Sequence, residues 1–230
     1  MKILISTLFV IVSLFSVGSA WADLERGVAA YNRGDYPAAL KEYQPLAELG
    51  LAPAQFNLGL MYAYGNGVRQ DEIEAVKWYL LAAEQGYAPA QYNLALMYEL
   101  GKGVVASSTH AIKWYKKAAS LDFAPAQFNL GIIFEQGKGV PANASTAAEW
   151  YQKAASQGHA DSQTNLGILY AKGEGVSQSY IKAHMWFSLA KKFGDIEGGR
   201  NLVIVKTLMN PAQIVEAQAF AAEWWKKHKN

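Results

Sequence analysis

The sequence predicts an all-α fold, a solenoid of about six helix-turn-helix units, and three observations carry that prediction. One 36-residue phrase begins at Ala52 and is rewritten from Ala88, Ala124 and Ala160 without drift. A fixed period of about 20 to 50 residues marks an array whose units bury their apolar faces against their neighbours. Within each copy the apolar residues fall at helical spacing, as Leu130, Ile133 and Phe134 do. Each copy is also broken at one phase by two glycines, Gly65/Gly67, Gly101/Gly103, Gly137/Gly139 and Gly173/Gly175, where a helix must stop.

The first element is an address. Lys2 precedes an uncharged run from Ile3 to Val17, then Gly18-Ser19-Ala20-Trp21-Ala22 and the first acid, Asp23. These are the parts of a secretory signal peptide over residues 1–22, with cleavage expected after Ala22 and after Ala20 as the rival. A spanning helix needs about 20 apolar residues, and this run is shorter. Residues 23–51 read as an N-terminal capping helix pair, turned at Gly34-Asp35-Tyr36-Pro37.

Residues 52–195 hold four repeats. Helix A of each is expected to open with Pro53, Pro89 or Pro125 as its first residue, and with Asp161 in the fourth copy. Gly59, Gly131 and Gly167, with Ala95 in the same column, would let another backbone come close. After the glycine pair, Asp71, Ser107, Asn143 and Ser179 stand where helix B needs an N-cap, and Asp71 with Glu74 has capping-box spacing. Helix B aligns Ala75, Trp78, Tyr79 and Ala82 on one face, as it does Ala147, Trp150, Tyr151 and Ala154. The tryptophan column of Trp78, Trp114, Trp150 and Trp186 is expected to be core, because a packing position recurs whereas a binding site differs from its surroundings. Residues 196–230 form a partial repeat and a capping helix, opened by Asn210-Pro211-Ala212-Gln213 and running to about His228. Its tail, Trp224 to Lys229, reads either as a membrane-surface or partner-binding segment or, as is expected, as cations that complement the helix dipole while one tryptophan docks on the last repeat.

The phrase Ala-Pro-Ala-Gln-Tyr/Phe-Asn-Leu-Gly, with Gly-x-Gly-Val and Ala-x-x-Trp-Tyr-x-x-Ala-Ala, resembles the Sel-one-like repeat family, relatives of the tetratricopeptide repeats. The resemblance covers about residues 23 to 205. It implies a right-handed superhelix of α/α hairpins whose inner surface binds other proteins, in adaptor, signalling and envelope or host-contact roles. Departures from the pattern are Asp122, where Gly86 and Gly158 end their helices, and Lys191, in place of the second alanine of helix B.

Composition narrows the function classes. The chain has 230 residues, 51% hydrophobic and 17% charged, which is ordinary for a globular protein able to bury a core. A formal charge of +2 selects neither nucleic acid nor a membrane surface. Cysteine is absent, which excludes disulfides, thiolate metal sites and a cysteine nucleophile. The four histidines, His110, His159, His184 and His228, are dispersed without metal-ligand spacing and are expected on exposed helix or turn positions. The glycine loops lack the Gly-Lys-Ser/Thr of a phosphate cradle. No catalytic residue, metal or cofactor is expected.

The expected function is therefore an exported, non-enzymatic scaffold, periplasmic or secreted, that binds another protein without nucleic acid or stable membrane insertion. Specificity is expected at the variable ends of helix A and the loops that follow: Tyr64, Glu99, Lys102, Glu135, Lys138 and Lys172. Two alternatives stay open. Some cysteine-rich members of the family are described as penicillin-binding or β-lactamase-like, but this chain lacks their cysteines, and no Ser-x-x-Lys pair is expected in it. A peptidoglycan or sugar binder would instead present Tyr64 or Trp224 exposed in a groove.

Overall fold

The structure is a computed structural model describing residues 19–228, and these form twelve helices and no strand. Residues 1–18 of the expected leader lie outside the described residues. The helices are α1 (19–32), α2 (Tyr36–Glu48), α3 (Ala52–Tyr64), α4 (Glu72–Glu84), α5 (Ala88–Leu100), α6 (Ser108–Ser120), α7 (Ala124–Gln136), α8 (Ala144–Ser156), α9 (Ala160–Lys172), α10 (Tyr180–Lys192), α11 (Ile196–Lys206) and α12 (Pro211–His228). They belong to two compact units, Met1–Ser107 and Ser108–Asn230. In the first unit α2, α3, α4 and α5 pack in succession. In the second, α6 to α11 do so, and α12 folds back onto α10.

The boundaries have local causes. Gly65, Gly101, Gly137 and Gly173 end their helices at φ between +67° and +75°, the left-handed conformation that costs glycine nothing. Helix B then starts on a side-chain cap: Asp71 accepts from Ile73 and Glu74 N–H at 3.0 Å, Asn143 from Thr146 N–H at 3.0 Å, and Ser179 from Lys182 N–H at 3.2 Å. The Glu74 carboxylate goes to Lys77 at 2.7 Å, so the return half of the expected capping box is replaced by an ion pair. That reciprocal arrangement occurs instead at α12, where Asn210 and Gln213 bond each other's N–H at 2.9 and 3.0 Å. The repeat prolines occupy the second helical position rather than the first, because the preceding alanine is already helical. Asp122 takes φ +57°, the one positive value among described non-glycine residues, and so reproduces the backbone of Gly86 and Gly158 without a glycine.

Packing corrects two expectations. The most deeply buried column is the one that follows the tryptophans, with Tyr43 after Glu42 in the N-terminal pair and Phe187 after Trp186: Tyr43, Tyr79, Tyr115, Tyr151 and Phe187 are at most 2% exposed, whereas Trp114 and Trp186 are buried and Trp78 and Trp150 only partly so. At Trp78 and Trp150 part of the indole reaches the surface, and Lys117 and Lys153 lie over the rings of Trp114 and Trp150 at 4.1 and 4.3 Å. The helical glycines likewise make room for rings more than for backbone. A Cβ on Gly59 would lie 2.7 Å from the Tyr79 ring, and those on Gly131 and Gly167 would strike Tyr151 and Phe187.

The recurring glutamine has a structural duty that periodicity alone did not reveal. Gln55, Gln91, Gln127 and Gln163 are buried and donate to the carbonyls of Ala47, Ala83, Ala119 and Ala155 at 3.0 to 3.2 Å, capping the end of the preceding helix B. Gln85 and Gln157 complete two of these clamps by donating to Gln55 and Gln127 at 2.8 Å. Phe193 stands in the matching column opposite Gln163, whose Oε1 is left without a partner. Phe193 packs on Trp224 and Trp225 instead, so a hydrogen bond is exchanged for docking of the terminal helix.

His184 also departs from expectation. It is 1% exposed in α10, with Nδ1 3.3 Å from Ser188 Oγ and Nε2 unpartnered. Burial, and then Lys206, push its pKa below the ordinary 6.5. His159, which caps α9 and packs at a tilt on Phe128, is lowered by burial against a smaller opposing effect of Asp161. A depressed histidine pKa means that the unfolded chain protonates first, so this stability is complete above 6.5 and is lost as pH falls. Urea unfolding at about pH 5.5 should show a lower midpoint than at about pH 7.5, and His184→Leu should reduce that difference. An unchanged difference would remove His184 from the account.

Candidate functional site

In the first unit the end of α3, the start of α4 and the length of α5 enclose a cleft of about 120 Å³. Its position follows from the sequence: Gly65 stops α3 in the left-handed region, the loop swings aside, and Asp71 restarts the chain as α4. The floor is recurring structure. Tyr79 is hydrogen-bonded to Asn93, and burial raises its pKa against the smaller lowering effect of that bond, so the phenol stays neutral. Leu96 and Met97 add an apolar wall. The rim falls in columns that vary from copy to copy: Tyr64 is 69% exposed, Leu100 is 62% exposed, and Lys102 stands 3.9 Å from Glu72. A pair so long and so exposed is worth little, and it leaves the ammonium free to turn toward a ligand. A site for one benzene-sized group needs about 150 Å³. The cleft therefore suits the end of one aliphatic or aromatic side chain, with Asn93, Glu72 and Lys102 placed to meet the polar groups around it.

The other expected specificity residues are distributed differently. Tyr64 and Lys102 share the cleft, and Glu99 is exposed on α5 just before Leu100. Glu135 accepts a 2.6 Å hydrogen bond from the buried Tyr151 hydroxyl, which makes it part of the packing. Burial and then this carboxylate raise the Tyr151 pKa. Lys138 is exposed in the loop after α7, and Lys172 pairs with Glu174 of its own loop at 3.7 Å. The asparagine column supplies the functional residue that the sequence reading passed over. Asn129 donates to Tyr115 at 3.0 Å, and Asn93 and Asn165 bond Tyr79 and Tyr151. Its signal was present in the strict recurrence of Asn57, Asn93, Asn129 and Asn165.

The expectation about serine–lysine pairs needs correction at the level of spacing, since Ser179/Lys182 and Ser188/Lys191 both match Ser-x-x-Lys. In the fold Ser179 Oγ caps α10, the Lys182 ammonium lies over the Tyr170 ring at 5.0 Å, and Ser188 Oγ contacts His184. Helical geometry thus gives each of these side chains a different neighbour. Among the described residues no group of three or more acids and histidines is arranged to hold a metal ion, and no helix is long and apolar enough to cross a membrane.

The family model of the Sel1 repeat matches residues 52–87, 88–123, 124–159 and 160–194. A Sel1 repeat protein from Oxalobacter formigenes is 39% identical with a TM-score of 0.70, over 76% of this chain and 49% of that one. A protective antigen present in uropathogenic Escherichia coli strains, displaying an SLR fold, is 29% identical with a TM-score of 0.56, over 93% and 54% of the two chains. A sel1 repeat protein from Klebsiella pneumoniae is 22% identical with a TM-score of 0.55, over 83% and 95%, a likeness of fold. The chain thus spans about half the length of the first two. No curated protein is a match for it.

Proposed function

Because the chain belongs to the Sel1 repeat family, we propose that it is an exported, non-enzymatic scaffold that binds another protein, with the first unit's cleft receiving one side chain of an extended partner segment. The observation that carries this is the variable rim of Tyr64, Leu100 and Lys102 set on a recurring floor of Tyr79 and Asn93. A repeated scaffold gains specificity only where copies differ, and here such residues converge on a concavity. Neutral Tyr79 and the absence of histidine from the lining favour binding over proton transfer. Export rests on the basic start, the uncharged run and the small residues before Asp23, and it agrees with the likeness to a protective antigen. N-terminal sequencing of the exported protein should begin at Asp23; an unprocessed Met1 would refute cleavage.

The test is capture from an envelope fraction by the purified protein and by a Tyr64→Ala/Lys102→Glu variant with unchanged helicity and melting. Loss of one specific partner in the variant alone is the expected result, a drop of about tenfold or more in affinity for a central aromatic and a rim charge together. Equal capture by both proteins would move the binding surface elsewhere. The peptidoglycan or sugar reading expects Tyr64 or Trp224 in a groove, and two observations favour it: the exposed Tyr64 ring at the cleft edge, and the half-buried Trp224 lining an aromatic groove of the second unit. A cleft of about 120 Å³ is too small to enclose a sugar ring, so saccharide titration against Tyr64→Ala would need to show surface stacking to revive it.

A further inference from the structure

The second unit contains a larger concavity with a different chemistry. A groove of about 430 Å³ runs between α10 and the returning α12, with α8 and α9 at its edge. Its floor is Tyr170, Met185, Trp186, Phe220 and Trp224, the two indoles meeting edge to face at 6.3 Å. At roughly 150 Å³ per ring-sized group, this space takes two or three side chains. Three cationic or protonatable groups line it, Lys182, Lys227 and His228, and one acid, Glu223. The Glu223 carboxylate is held by Lys227 at 2.7 Å, whereas Lys182 lies over Tyr170 and has no carboxylate within ion-pair distance among the described residues. The surroundings have the same sign. Residues 1–107 carry 7 basic and 10 acidic side chains, and residues 108–230 carry 14 and 9, so the near-neutral chain divides into units of −3 and +5.

We propose that this groove binds an acidic protein segment through one or two apolar side chains seated on the aromatic floor, with flanking carboxylates facing Lys182 and His228. An apolar anchor supplies binding energy by desolvation, and the cationic rim selects the sign of its neighbours. A membrane surface fits less well, because both terminal tryptophans are engaged within the protein. Trp224 is stacked by His228 at 4.2 Å and Trp225 is covered by Lys192 at 3.5 Å. A nucleic acid would need a longer cationic track than these side chains offer.

The experiment titrates the mature protein with three synthetic hexapeptides, followed by tryptophan fluorescence and calorimetry. They are acetyl-Asp-Glu-Phe-Leu-Glu-Asp-amide, its counterpart with lysine at every acid, and an acidic version with Gly-Ser in place of Phe-Leu. The first should bind about tenfold or more tighter than either control and weaken in about 0.5 M NaCl. Lys182→Glu should remove that preference and Lys182→Arg should keep it, both with unchanged helicity and melting. The Tyr64→Ala/Lys102→Glu variant should bind as the parent does, which separates this groove from the cleft of the first unit. Equal binding of the lysine peptide, indifference to Lys182→Glu, or preference for oligothymidylate or for phosphatidylserine vesicles would each overturn the proposal.

Discussion

Gly103→Ala and Gly175→Ala are each expected to destabilise the protein by about 2 to 5 kcal/mol, from about 1–2 for a left-handed alanine and about 1–3 for overpacking. The second glycine of each pair is where one repeat touches the one before it. Gly103 has φ +65°, and a Cβ there would lie closer than 3.0 Å to the carbonyl of Glu72 and the amide of Ile73 at the start of α4. Gly175 stands in the same relation to Ala144 and Ser145 at the start of α8, where Ser145 Oγ donates to its carbonyl at 2.8 Å. Backbone cannot move aside as a side-chain tip can, so the loop must leave its neighbour. Gly86→Ala is the control, since its φ of +85° carries the conformational cost but a Cβ there meets nothing within 4 Å. Denaturant titration of the three variants decides the matter: if Gly103→Ala costs no more than Gly86→Ala, the close approach contributes nothing.

The second large effect concerns the ring that fills each hairpin. Tyr151→Ala should cost about 3 to 5 kcal/mol, as truncation of a fully buried aromatic does, because the Tyr151 ring is wedged against Gly131 and its hydroxyl is held by Glu135 and Asn165. Gly131→Ala should cost about 1 to 3 kcal/mol, since the methyl would enter space the ring occupies. In the double variant the methyl moves into the vacated volume. Its cost should therefore fall short of the sum by about 0.5 to 3 kcal/mol. Strict additivity would mean that the two positions do not share that space.

The repeat made most of this fold legible before any coordinates. A helix stops at Gly65 because glycine accepts the left-handed angles, and it restarts after Asp71 because a carboxylate caps free amides; both are properties of a few adjacent residues. The capping box at Asn210 and Gln213 was readable for the same reason. The candidate site was less so. Tyr64 and Lys102 were singled out as variable positions, but only the fold joins them in one cleft, whereas Glu135, equally variable by sequence, is committed to Tyr151. Likewise a formal charge of +2 concealed a basic unit and an acidic one, because a total contains no information about where the chain divides.

By itself the sequence determined the family, the 36-residue period, the all-α class and the ends of the helices, all of which depend on contacts between residues near in the chain. Tertiary structure decided which aromatic of each Trp-Tyr pair is fully enclosed, what the helical glycines accommodate, why His184 is buried, and which variable side chains share a concavity. The physical reason is that a repeat fixes which positions are alike, while burial depends on the shape of the space between helices from different copies. That space is set by the widths of all the side chains around it at once.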